Sequence, residues 1–176
     1  MKYFQELKRS MEYLANKKNS IFIGQAVEYP GTAMYNTLID IKKERKIELP
    51  VAEEMQMGIT IGMAMNGMMP ISIYPRWNFL LLATNQIVNH LDKIKILGKN
   101  KLKNKIIIRT SVGSQRPLHP QHQHVGNFTK PFAEMCPNVD FIILKDAKDI
   151  FSSYKKASES NKPTVLVEFG DYYNEK

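Results

Sequence analysis

The stretch PVAEEMQMGITIGMAMNGMMPISIYPRWNF, residues 50–79, decides how the chain is read. After Pro50 come two glutamates, and then apolar residues and glycines at intervals that predict a helix from Glu53 to Asn66. Gly58 and Gly62 stand four apart, with Ile59, Ile61, Met63 and Met65 beside them, so one side of this helix is bare and suits close approach by a second element. PISIY (70–74) is a short apolar strand, and Trp77, Asn78 and Phe79 open a long apolar helix predicted to reach Ile96.

Outward from this centre the pattern repeats. Tyr3, Phe4, Leu7, Met11 and Leu14 recur at helical spacing ahead of the strand SIFIG (20–24). Met34, Leu38 and Ile41 suggest a helix, the charged run KKERK closes it, and IELP (47–50) is a short strand. KIIIRT (105–110), FIIL (141–144) and TVLVEF (164–169) are further strands, the last two separated by a helix from Ala147 to Ala157. Short apolar runs alternating with helices predict an α/β fold: three α/β/α layers around a mostly parallel sheet covered on both faces. The longest irregular stretch, 111–127, follows a strand end, where open α/β sheets place ligand contacts.

Composition sets the outer limits. The chain has 176 residues, 43% hydrophobic and 24% charged, which fits one domain over 1–176 with one core. A formal charge of +8 keeps acidic partners open, among them nucleic acid, anionic lipid and a phosphorylated cofactor. The single cysteine, Cys136, excludes an internal disulfide framework and a multi-cysteine zinc site, and points to a reducing, cytoplasmic setting. The first twenty residues lack the apolar core and cleavage signature of a secretory signal. The most apolar stretch, 58–74, is broken by Asn66, Gly67 and Pro70, and falls short of the roughly 20 apolar residues that a membrane helix needs.

Several groups are candidates for chemistry. Glu53 and Glu54 are either solvated first-turn carboxylates favoured by the helix dipole or, if one is buried with a nitrogen partner, a functional acid. His119, His122 and His124 lie in the loop sequence HPQHQH, which suits proton transfer or anion holding, or a merely polar loop, ahead of a metal site. Phe79 is suited to a core position or to presenting its ring to a planar heterocycle. The run KIKILGKNKLKNK (93–105) has six lysines and no aromatic residue, so it would give weak phosphate attraction without base stacking.

Taken together, LPVAEEMQMGITIGMAMNGMMPISIYPRWNFLLLATNQIVNHLDK (49–93) resembles the pyrimidine-binding domain of thiamine diphosphate enzymes, in particular the N-terminal half of the beta subunits of 2-oxoacid dehydrogenase first components. The shared order is a proline, a glutamate, G-I-x-x-G, G-x-x-P, a strand, then N-F and a helix with Q-x-x-N, which falls on Glu53, Gly58, Gly62, Gly67, Pro70, Asn78, Phe79, Gln86 and Asn89. PQHQ (120–123) resembles the family's Gln-His-Ser-Gln loop.

The resemblance implies the thiamine diphosphate-binding fold of the pyrimidine domain, with thiamine diphosphate as cofactor. It implies that Glu53 hydrogen-bonds N1′ of the aminopyrimidine, favouring the imino tautomer that takes the thiazolium C2 proton. Phe79 would lie on the pyrimidine face, with Gly58 and Asn78 beside the cofactor and His122 facing the reacting carbonyl. His119, His124 and Gln121 would lie on the substrate side. The family's Gly-Asp-Gly motif for Mg²⁺ and diphosphate is not matched by GDYYN (170–174), where Tyr172 replaces the second glycine. The family's acidic residue after the first strand is replaced by Gln25.

The expectation is therefore one subunit of a split enzyme, without the family's C-terminal transketolase-type domain. It would pair, two of each chain, with a separate diphosphate-binding subunit that carries Mg²⁺. The reaction expected is decarboxylation, C–C cleavage or carboligation of a 2-oxo acid or ketose. The rivals are a non-catalytic α/β binding module that keeps the fold, and a nucleic-acid binder using the lysine run.

Overall fold

The computed structural model of the protein describes residues 2–99, 101–102, 105–115 and 119–175. Six strands form one sheet: β1 (Ser20–Gly24), β2 (Lys46–Glu48), β3 (Met69–Tyr74), β4 (Ile107–Val112), β5 (Asp140–Ile143) and β6 (Thr164–Phe169). Their order is β2-β1-β3-β4-β6-β5, and every pair is parallel. The expected α/β fold with a mostly parallel sheet is therefore present, and the sheet is parallel throughout.

The strand sequences explain the layering. At the start of β4 Ile107 points to one face while Ile108, and Ile106 just before the strand, point to the other, and Leu166 opposes Val165 and Val167 in the same way. On the first face these residues meet α1 (Tyr3–Ala15) and α7 (Ala147–Glu159) through Leu7, Met11, Leu14, Ile150 and Tyr154. On the second they meet α3 (Glu53–Met65) and α6 (Thr129–Met135) through Met57, Ile61, Ala64 and Phe132. Both faces are covered, which is why β1 and β3 are buried along their whole length.

Two expectations are corrected. The long helix from Asn78 to Ile96 is broken into α4 (Trp77–Leu80), a 3₁₀ turn (Leu81–Ala83), a π-helical segment (Gln86–Leu91) and α5 (Ile94–Leu97). Leu80, Ala83, Ile87, Leu91 and Ile94 still face the core, so packing is satisfied while the backbone tightens and widens. The helix expected at Met34, Leu38 and Ile41 shrinks to α2 (Ala33–Asn36), capped by Thr32, whose side chain accepts from Tyr35 N. Part of the lysine run, at residues 100, 103 and 104, lies outside the described residues.

A feature absent from the sequence reading sits in the first layer. Arg109 on β4 and Glu168 on β6 are fully buried, joined by Nε to Oε1 at 2.5 Å and Nη2 to Oε2 at 3.1 Å. Arg109 Nη1 also donates to Thr37 Oγ1, and the hydroxyls of Tyr154 and Tyr173 donate to the Glu168 carboxylate. Burial pushes both phenols up, and the Glu168 charge adds to that, so they stay protonated as donors. Removing one member leaves a buried charge without its counter-ion. Arg109→Met is expected to lower stability by about 3–5 kcal/mol in urea unfolding, and a loss below about 1 kcal/mol would contradict this reading.

Asp92, buried just after the π segment, accepts from Asn138 N at 2.7 Å and from Lys93 Nζ at 2.7 Å. Burial alone would raise its carboxyl, but the bonds from Lys93 and Asn138 overcome this and hold it below the ordinary value of 3.8. A depressed folded-state value means that the stability is present above pH 3.8 and is lost as pH falls through the lower folded value. Asp92→Asn should accordingly flatten the acid limb of the stability curve below about pH 4, measured by urea midpoints against pH. An unchanged acid limb would show that the carboxylate contributes nothing there.

Candidate active site

The order of the sheet places the site. The chain leaves β1 towards β2 on one side, and from β3 it continues to β4 on the other, so β1 and β3 flank the point where the topology reverses. Crevices outside the carboxyl ends of strands at such a point are where open α/β sheets hold ligands. Gly24 and Tyr74 end those two strands, and Glu53 is the first residue of α3 behind them.

Four bonds fix the head of α3. Gln56 Nε2 donates to Ser72 Oγ at 3.0 Å and Ile73 O at 2.9 Å, Thr60 Oγ1 donates to Ser72 Oγ at 2.9 Å, and Tyr74 Oη donates to the Glu53 carbonyl at 3.2 Å. Gly24, at φ +138°, makes this approach possible, since a Cβ there would lie 2.3 Å from Ile73 O and 2.5 Å from Gln56 Nε2. Burial pushes the Tyr74 phenol up, opposed by its bond with Ser72 and aided by the Glu53 charge, so Tyr74 remains a donor.

Glu53 is thereby carried into the protein, 4% exposed, with Oε1 buried and without a hydrogen-bond partner. Its neighbour Glu54 is exposed and accepts from Asn85 Nδ2 at 3.3 Å and Gln86 Nε2 at 3.5 Å. The two glutamates that the sequence left equivalent are thus distinct: one is tied to the surface, the other is desolvated.

The segment after β3 supplies the next groups. Trp77 is fully buried, donates to Thr129 Oγ1 at 3.1 Å and packs on Phe128, Phe132 and Phe141. That anchor sets the start of α4, leaving Asn78 and Phe79 half-buried, with Asn78 Oδ1 buried and unpartnered. Phe79 meets His124, their ring centres 5.1 Å apart at 48°, and His124 Nδ1 is also buried without a partner. His119, Gln121 and His122 are exposed, and His119 Nδ1 accepts from Gln121 N at 2.9 Å. Of the three loop histidines it is His124, not His122, that the fold brings against Phe79. Among the described residues no three His, Cys, Asp or Glu side chains are grouped to hold a metal.

The loop after β1 also contributes. Gln25 Nε2 is a further buried, unpartnered group, and the Glu48 carboxylate fixes the loop by accepting from Ala26, Val27 and Glu28 N at 2.9, 2.7 and 2.7 Å. Glu48 was not foreseen; a carboxylate closing a short strand ahead of a turn-rich segment was the available signal. Orphaned polar atoms of Gln25, Glu53, Asn78 and His124 thus lie on segments at the carboxyl edge around β1, β3 and β4. Buried groups of this kind cost free energy unless something supplies the missing partner.

Within this chain no described element packs closely on Gly58 or Gly62. A Cβ at either would meet nothing within 4 Å, because that side of α3 faces away from the sheet. Met55 on the same helix, with Val51 and Leu82 nearby in sequence and fold, is exposed. Among the described residues no helix is long and apolar enough to cross a membrane.

An open parallel sheet with a buried acid and aromatic groups at its reversal point defines an α/β domain, and comparison with known proteins narrows the class. The family described as "Transketolase, pyrimidine binding domain" matches residues 3–173. The chain belongs to that family. A pyruvate dehydrogenase E1 component subunit beta of Gracilaria tenuistipitata var. liui is 26% identical over 97% of this chain and 53% of its own length. The chloroplastic subunit beta-3 of Oryza sativa subsp. japonica is 30% identical over 74% of this chain and 32% of its own. The chain therefore spans about half the length, or less, of the relatives it matches. A split-gene transketolase, solved as an inactive beta4 tetramer, superposes with a TM-score of 0.71 at 18% identity, covering 94% of this chain and 50% of that one. It shares the fold.

If the orphaned Glu53 oxygen is held for a missing partner, replacing the acid should relieve the isolated chain. Glu53→Met is expected to raise the urea midpoint by the equivalent of about 0.5–2 kcal/mol, net of the lost attraction to the helix dipole. A comparable destabilisation would show that Glu53 is already satisfied in the lone chain.

Proposed function

We propose that this chain is the pyrimidine-side subunit of a thiamine diphosphate-dependent enzyme acting on a 2-oxo acid or ketose, and that it works with a separate diphosphate-binding subunit carrying Mg²⁺. The observation that carries the reading is the desolvated carboxylate of Glu53 with an unpartnered oxygen at the reversal point of the sheet. That oxygen fits an aminopyrimidine, whose ring nitrogen can share the hydrogen bond that the protein leaves unmade.

Bound there, thiamine diphosphate would supply a nucleophilic carbon and an electron sink for cleaving or forming a C–C bond next to a carbonyl. The chain's own residues have narrower tasks. Glu53 holds the ring nitrogen and governs its proton, and its burial strengthens that bond by removing competing water. Phe79 offers a ring face to the heterocycle, while Asn78 Oδ1 and Gln25 Nε2 supply an acceptor and a donor at its edges. His124 takes the substrate-facing role first expected of His122, because its ring lies against Phe79 and keeps a buried nitrogen free of protein partners. The exposed His119, Gln121 and His122 then form the outer wall of the substrate approach.

The bare side of α3 at Gly58 and Gly62 gives the partner a surface that it can approach closely, so both the cofactor site and the helix face are completed by the same contact. Pairing of two copies of each chain is the expected assembly. Decarboxylation, C–C cleavage and carboligation are the expected reaction types.

The test is reconstitution with a diphosphate-domain subunit, followed by turnover of 2-oxo acids and ketoses with thiamine diphosphate and Mg²⁺. The chain alone should be inert, the pair active, and Glu53→Gln should lower kcat of the pair by at least about 100-fold. Full activity of Glu53→Gln would favour the non-catalytic module instead.

A further inference from the structure

Arg76 lies in the turn between β3 and α4 and has no place in the roles assigned above. Its Nη1 donates to two backbone carbonyls, Ser114 O at 3.4 Å and His124 O at 3.0 Å. Ser114 is near the start of the loop that leaves β4, and His124 is ten residues further on, so a single nitrogen ties the two arms of the histidine loop together. A second bond joins the same turn to the loop's root, Ser111 Oγ donating to Pro75 O at 2.7 Å.

The tie bears directly on the histidine. His124 has φ +58°, in the left-handed region that non-glycine residues rarely adopt, and its ring is nonetheless held against Phe79, three residues beyond Arg76. The bond from Arg76 to the His124 carbonyl fixes the peptide that follows this residue, so the backbone on the far side of the ring is held. Guanidinium suits the task, because the two N–H groups of Nη1 diverge in one plane and reach two carbonyls, whereas a lysine ammonium is a single flexible point.

Arg76 also lines a cavity of about 390 Å³ between α2 and the loops after β3, β4 and β6, bordered by Thr32, Asn36, Ser111 and Ser114. Arg76 therefore stands between that space and the histidine. Burial lowers its basicity and the nearby Asp171 opposes this, and the guanidinium stays charged.

We infer that Arg76 is a positioning residue for the proposed reaction: it clasps the histidine loop at Ser114 and His124 and so holds the His124 imidazole against Phe79, facing the substrate. This rests on the reading of Glu53 and His124 given above.

Two measurements test it. In the reconstituted pair, Arg76→Ala should lower kcat by about 10- to 100-fold, the penalty expected for a misplaced group, while affinity for thiamine diphosphate with Mg²⁺ is unchanged. Added ethylguanidinium should restore part of the loss, and Arg76→Lys should fall between Ala and wild type. In the chain alone, NMR of labelled histidine should show a His124 ring distinct from the exposed His119 and His122. Arg76→Ala should move that signal to join theirs.

Wild-type kcat, or an unmoved His124 signal, in Arg76→Ala would overturn the inference. If Arg76→Ala does not fold, Arg76→Lys and Arg76→Gln carry the same two readouts, and wild-type behaviour in both overturns it equally. Glu53→Gln separates the two failures. If that variant is fully active the reading of the site itself falls, whereas an inactive Glu53→Gln beside a fully active Arg76→Ala removes the clasp alone.

Discussion

Glu53 is an acid that folding buries and leaves with one oxygen unbonded, and the hydrogen bonds around it hold it in that position. The bonds from Gln56, Thr60 and Tyr74 to β3 and to the Glu53 backbone pull the first turn of α3 over the sheet's edge, and Gly24 makes room for them. An arrangement this costly persists only when the rest of the fold over-determines it. Met57 and Ile61, one and two turns on, are buried in the second core layer and anchor the helix that carries it.

The two faces of the sheet divide the work. Beneath the first, the Arg109–Glu168 pair with Tyr154 and Tyr173 locks β4 to β6 and to the helices above, where α1 and α7 pack over a continuous apolar layer. On the second, α3 and the broken helical segment after β3 carry the groups suited to chemistry. Loops after β1, β3 and β4 then meet at the carboxyl edge, each with its own backbone fixture: the Glu48 carboxylate, the buried Trp77 and the Arg76 guanidinium.

Much of this was legible in the residues. Each of the six strands overlaps a short β-rich segment marked in the sequence, and the helix beginning at Glu53 is found within one residue of its expected end. The break-up of the Asn78–Ile96 helix was not legible, because inward residues spaced three and four apart suit α, 3₁₀ and π turns alike. The Arg109–Glu168 pair was hidden because partners on β4 and β6 are set by sheet register, although one charge within each of two apolar strands was a signal that went unused. Proximity of Glu53, Phe79 and a histidine to one edge followed from the motif order; which histidine did not. His122 and His124 differ by one dipeptide in a loop, and the turn to positive φ at Gln121 and His124, with the Arg76 tie, decides which ring turns inward.

The most direct test of the central claim is a structure of the chain assembled with a diphosphate-domain subunit, thiamine diphosphate and Mg²⁺. The account predicts the aminopyrimidine ring beside Phe79, with Glu53 Oε1 at hydrogen-bond distance from a ring nitrogen, about 2.7–3.0 Å. A cofactor bound without touching this chain, or a Glu53 carboxylate turned to solvent in the assembly, would contradict it.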